Sequence, residues 1–128
     1  LAISGILDLP WAAISPDGAV VPPTALADTA STALARVAAS DASGFWILVD
    51  ADVLSPEVMP AVGSPAPGGP DIDELAALLA PLVDHPKALG MALTLYDPSL
   101  DSDRSSAARL VGLLAKSLLG GGRHAAPA

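Results

Sequence analysis

The 128-residue chain has no cysteine. Disulfides, thiolate zinc sites and thiol nucleophiles are therefore excluded, whatever the compartment. Aromatic residues amount to only 3%, so a core has to be built from Leu, Val and Ala with few large anchors. Basic residues are also scarce: six Lys and Arg against fourteen Asp and Glu give a formal net charge of −8. Nucleic acid is not an expected partner, because phosphate binding needs clustered Lys and Arg. An anionic membrane surface is disfavoured for the same reason. A cationic ligand or a metal ion would be attracted, although such a charge serves solubility equally well. No run approaches the roughly 18 apolar residues of a membrane span. No basic region precedes the N-terminal apolar run either, so no signal peptide is visible and a cytoplasmic location is expected. The chain begins at Leu1, directly inside an apolar run, which suggests that something upstream has been removed.

What is present is apolar residue in quantity. At 52% it excludes a disordered chain, which would be polar and charge-rich, and the length suits one domain. Strand and helix patterns alternate. Leu1 to Leu7 reads as a short buried strand ending at Asp8, followed by a Pro- and Gly-rich loop. Thr24 can cap a helix over about Ala25 to Ala39, with Leu26, Leu34 and Val37 as its larger contacts. Phe45 to Val49 is an unbroken apolar run, the pattern of a strand covered on both faces in a parallel sheet. From Val53 to Pro70 runs a long loop rich in proline and glycine, a kind that is often functional. Asp71 with Glu74 resembles a capping box, and Leu75, Leu78, Leu79 and Leu82 follow the spacing of one buried helical face. Pro81 should weaken that helix's last turn. Lys87 to Tyr96 reads as a third strand. A last helix is expected over about Asp103 to Leu119, with Leu110, Leu114 and Leu118 on one side, stopped by Gly120-Gly121-Gly122. The expected organisation is one α/β domain over 1–119 and a loose tail over 120–128, with a parallel sheet that has helices on both faces and belongs to a larger sheet.

Asp50 and Asp52 stand at the carboxyl end of the apolar strand, the end at which open parallel sheets bind ligands. On an extended chain, carboxylates at i and i+2 point the same way and stand roughly 6–7 Å apart. A hard divalent cation between them could draw on both; without one they repel, and the bland alternative is that both simply end a strand in water. His85 before Pro86 and His124 near the C-terminus have no metal-binding context. Gly68-Gly69 lacks the Lys and Ser/Thr of a phosphate loop. Ser102, Ser105 and Ser106 are read as helix-capping residues, and Trp11 and Trp46 as packing residues.

The stretch Phe45 to Gly69, with Asp50, Asp52, Pro56, Pro60, Gly63, Ser64, Pro65, Gly68 and Gly69 in order, resembles the second metal-binding signature of the arginase, agmatinase and formiminoglutamase family. That signature runs Ser-x-Asp-x-Asp-x-x-Asp-Pro, then Pro, a Gly-Thr/Ser-Pro step and a Gly-Gly pair. Gly5-Ile6-Leu7-Asp8 resembles the family's Gly-Ile-Arg-Asp strand end. Asp97-Pro98-Ser99-Leu100-Asp101 resembles its Glu-x-Asn-Pro-x-x-Asp segment. The resemblance implies the C-terminal part of a ureohydrolase, as a partial arginase-like three-layer sandwich. It implies Mn2+ as cofactor with Asp50 and Asp52 as metal-binding residues, a small cationic guanidino substrate, and self-association into a homo-oligomer. It also implies metal-assisted hydrolysis of a guanidino or amidino C–N bond.

The departures from the signature fall on functional positions. Leu48 stands in place of Ser, Ser55 in place of Asp, Leu7 in place of Arg, and Leu95 in place of the glutamate that meets the guanidinium. The family's histidine and its Asp-x-His-x-Asp segment have no counterpart here. No catalytic residue is assigned on these grounds. The chain is expected to carry only part of a metal site and to be inactive by itself. The alternative is a truncated or degenerate arginase-like module acting in oligomerisation or partner binding.

Overall fold

The computed structural model describes residues 21–120. The expected first strand at Leu1 to Leu7, Trp11, His124 and the tail beyond Gly120 lie outside them. Five main elements follow in order: helix α1 (Pro23–Ala38), strand β1 (Phe45–Asp50), helix α2 (Ile72–Val83), strand β2 (Ala88–Thr94) and helix α3 (Ser105–Gly120). β1 and β2 pair in parallel, Trp46 opposite Gly90, Leu48 opposite Ala92 and Asp50 opposite Thr94. The register slips once, between Phe45 and Trp46, leaving Leu89 as an extra residue. The α/β class and the parallel sheet are those expected.

Each helix boundary has a local cause. α1 starts at Pro23, earlier than expected, and no side chain caps it. Proline at the first helical position has no N–H to leave unpaired and already holds the helical φ, so Thr24 is not needed as a cap. α2 opens on the expected capping box: Glu74 N donates to Asp71 Oδ1 at 2.8 Å, and Asp71 N donates back to Glu74 Oε2 at 3.0 Å. The other Glu74 oxygen accepts Val21 N at 2.9 Å, which ties the entry of α1 to α2. α2 continues through Pro81 to Val83.

α3 begins later than expected and buries Leu110 of the expected stripe, but not Leu118. Ser106, Leu110, Leu113 and Ser117 face inward, while Leu118 is exposed and Leu114 only half-buried. The buried Ser117 hydroxyl is satisfied by Leu113 O at 2.8 Å, so a serine can take a core position that leucine spacing alone would not assign to it. Nor do serines cap this helix. The Asp101 carboxylate accepts Ser106 N and Ala107 N at 3.0 and 2.8 Å, and Asp103 accepts Ser105 N at 3.0 Å.

The core joins Ile47 and Val49 of β1 to Leu26 and Ala30 of α1, to Leu75, Leu78 and Leu79 of α2, and to Leu110 and Leu113 of α3. α2 is the central helix, in contact with both others. Met91 and Leu93 of β2 pack against the same core. Among the described residues the helices therefore lie against one face of the sheet. On the other face Trp46 is 62% and Leu48 65% exposed. The Trp46 ring lies across Gly90, where a Cβ would come within 2.5 Å of it, but at this exposure Trp46 is not the packing residue expected of it.

Candidate metal centre at the strand ends

β1 ends at Asp50, and residues Ala51–Val53 turn at once into a short 3-10 helix. Ala51 and Leu54 are buried in the core beneath this turn. Asp52 consequently lies on a turn rather than an extended strand, and the spacing expected of two strand carboxylates does not carry over to it. Both aspartates are half-buried. Asp50 alternates with Val49, so it shares the outer face of the sheet with Leu48 and Trp46. There its Oδ1 accepts a hydrogen bond from the hydroxyl of Thr94, the residue opposite it.

The long loop behind the aspartates is built into the core. Leu54, Met59, Ala61 and Val62 are buried. Ser55 N donates to Pro70 O at 3.0 Å, bringing the ends of the loop together. Gly69 makes that closure geometrically possible: a Cβ there would come within 2.1 Å of Val53 O. Arg109 of α3 donates to Val58 O at 2.8 Å and holds the outer part of the loop.

The segment after β2 is tied to the same loop. Leu95 has a φ of 65°, a left-handed conformation that costs a non-glycine residue about 1–2 kcal/mol. The turn it makes sends Tyr96 antiparallel to Val62 as an isolated bridge, and Asp97 N donates to Ala61 O at 2.9 Å. The Tyr96 hydroxyl then donates to Asp101 Oδ2 at 2.8 Å. Burial by itself raises the Asp101 carboxyl pKa, but the amides of Ser106 and Ala107 and the Tyr96 hydroxyl outweigh it and hold that carboxyl below its ordinary value. The Tyr96 phenol is pushed up, chiefly by its hydrogen bond to Asp101 and then by burial and the Asp101 charge.

Asp50 and Asp52 offer the hard oxygen donors that manganese or magnesium takes. Among the described residues no group of three or more His, Cys, Asp or Glu side chains could hold a metal ion. The pair fits a hard divalent cation in donor type and supplies only part of the roughly six donors such an ion needs. His85 is elsewhere, at the end of α2: its Nδ1 accepts Lys87 N at 3.1 Å and its ring lies 5.6 Å from that of Phe45. Sequence reasoning missed Thr94 and the Tyr96–Asp101 pair. The position of Thr94 opposite Asp50 depends on the parallel register, which no local pattern reveals. The Asp101 role did have a signal, a carboxylate a few residues ahead of a helix.

Parallel strands joined through a helix, with carboxylates at their carboxyl ends, define an α/β protein of the kind whose ligand site lies along that edge of the sheet. The chain belongs to the arginase family, whose model matches residues 19–120. It is 41% identical over 78 residues to the formimidoylglutamase of Aeromonas hydrophila, covering 56% of this chain and 24% of that protein. To the arginase of Brucella melitensis it is 37% identical over 87 residues, 68% of this chain and 28% of that one. The chain thus spans about a quarter of the length of the curated relatives it matches. Among solved structures, formimidoylglutamase from Bacillus subtilis superposes with a TM-score of 0.67 at 27% identity, over 76% of this chain and 30% of that one. A Trypanosoma cruzi formiminoglutamase, solved with Mn2+, shares the fold at a TM-score of 0.59 and 19% identity, over 76% of this chain and 34% of that one. Among the described residues no helix is long and apolar enough to cross a membrane.

Proposed function

We propose that this chain supplies two carboxylate ligands, Asp50 and Asp52, to the manganese site of a cytoplasmic ureohydrolase that cleaves a guanidino or amidino C–N bond in a small cationic substrate. The observation that carries this reading is the position of Asp50. It stands at the carboxyl end of β1, held by Thr94, inside the stretch matched by the arginase family. Manganese bound there would supply Lewis acidity and an activated water. The part played by this chain's residues is narrower: Asp50 and Asp52 would bind the cation, and the buried loop from Val53 to Pro70 would keep the turn that carries Asp52 in place. The remaining donors would come from water or from residues outside 21–120. The net charge of −8 favours a cationic substrate over an anionic one.

A second reading, a non-catalytic arginase-like module acting in oligomerisation or partner binding, draws on a different observation. Leu48 and Leu95 are 65% and 55% exposed, where the family signature carries serine and glutamate. A calorimetric manganese titration of wild type, Asp50→Ala and Asp52→Ala separates the two. Sub-millimolar binding by wild type, lost in either variant, is the expected outcome, with hydrolysis of guanidino compounds then assayed in the presence of the rest of the domain. Binding indifferent to both aspartates would leave the non-catalytic module as the better account.

A further inference from the structure

We infer that Thr94 is a positioning residue for Asp50: its hydroxyl holds the carboxylate in one rotamer, with Oδ1 engaged and Oδ2 left for a cation. This rests on the reading of Asp50 as a metal ligand and goes further by assigning a role to a residue outside the aspartate motif. Three features of the fold support it. The register places Thr94 directly opposite Asp50, on the outer face, at the last residue of β2. Threonine is stiff at χ1 because its Cβ is branched, so a hydroxyl on a paired strand is aimed rather than free to swing. An ionised carboxylate only accepts hydrogen bonds, so the Thr94 proton commits Oδ1 and makes the two Asp50 oxygens inequivalent.

The strand itself has no need of this hydroxyl. Valine has the same branched shape and an equal preference for strands, and the residues paired on this face further back, Leu48 and Ala92, are apolar. What the hydroxyl adds is a fixed direction for the carboxylate. Partners that orient a metal-binding side chain in this way typically contribute about 10–100-fold to metal affinity.

The test compares wild type, Thr94→Ser, which keeps the hydroxyl, and Thr94→Val, which keeps only the shape. Three-bond side-chain couplings of Asp50 are measured by NMR in the metal-free chain. Mn2+ affinity is then read from loss of the free ion's EPR signal, with Asp50→Ala as the control. The expected result is a single Asp50 rotamer in wild type and Thr94→Ser and averaged couplings in Thr94→Val. Mn2+ affinity should fall about tenfold or more in Thr94→Val and be restored by Thr94→Ser. Couplings equally averaged in wild type and Thr94→Val would overturn the inference. So would Asp50-dependent Mn2+ binding of equal strength in those two proteins. A rotamer fixed by Thr94 together with no Asp50-dependent Mn2+ binding would uphold the hold on the carboxylate and overturn the metal reading instead. Thermal melts of all three proteins separate a loss of fold from a loss of positioning.

Discussion

Asp101 is the residue on which the segment after β2 depends. The residue is 6% exposed, and its carboxylate joins the Tyr96 hydroxyl to the first amides of α3. Because its pKa is lower in the folded chain, its contribution to stability is present above the ordinary carboxylate range and is lost as pH falls through the folded value. Asp97, held down by the Ser99 hydroxyl and amide, and Asp103, held down by the Ser105 amide, add to the same acid loss. Tyr96 works in the opposite direction. Its raised pKa gives stability that is present below the ordinary tyrosine range and lost as pH rises through the folded value. Urea titrations across pH should therefore show stability falling below about pH 4 and above about pH 10. Asp101→Asn should flatten part of the acid limb, and Tyr96→Phe should remove the alkaline one. Unchanged limbs in both variants would mean that the pair does not couple to folding.

At the scale of elements, α3 shows which parts of the fold were legible and why. The capping box of α2, the strand at Phe45 and the order of elements from α1 onward are local patterns, written in consecutive residues, and they stand as expected. The buried face of α3 was legible only in part, because leucine spacing cannot show that Ser106 and Ser117 occupy core positions. The unbroken apolar run of β1 reads as a strand covered twice over; among the described residues Phe45, Ile47 and Val49 pack on the core, while Trp46 and Leu48 are exposed. The candidate site was legible through Asp50 and Asp52 as a motif, but their relative placement was not, since the turn after Asp50 depends on Ala51 and Leu54 seating in the core. Packing on α3 can be checked directly. Leu113, 1% exposed, should cost about 2–5 kcal/mol when changed to Ala. Val111, 66% exposed two residues earlier, should cost no more than about 0.5 kcal/mol. Equal costs in chemical denaturation would contradict the assignment of the inward face.

For the molecule as a whole, the outer face of the sheet is where exposed apolar side chains gather among the described residues. Trp46 and Leu48 lie open beside the β1–β2 pair, and Leu89 and Leu95 are exposed at the start and end of β2. Apolar strand surface of this kind promotes association. Leu48→Lys should leave the melting temperature near that of wild type, since Leu48 has little burial to lose. If the chain associates through this face, the substitution should weaken that association by about tenfold or more, the equivalent of roughly 1.5 kcal/mol for one leucine removed from a contact. Sedimentation velocity over a concentration series reads this directly, and superimposable series for the two proteins would show that the face takes no part.

The parallel pairing of β1 with β2 also fixes a sequence of events in time. Phe45 meets Ala88 only after the chain has passed through the long loop and all of α2. No local hairpin can start this sheet, so the entropy of closing a large loop has to be met before the first ladder bond forms. α2, in contact with both other helices, can gather them without waiting for the strands. Zipping of the sheet is therefore expected after the helices have gathered, and the apolar run of β1 stays without its ladder partner until β2 arrives.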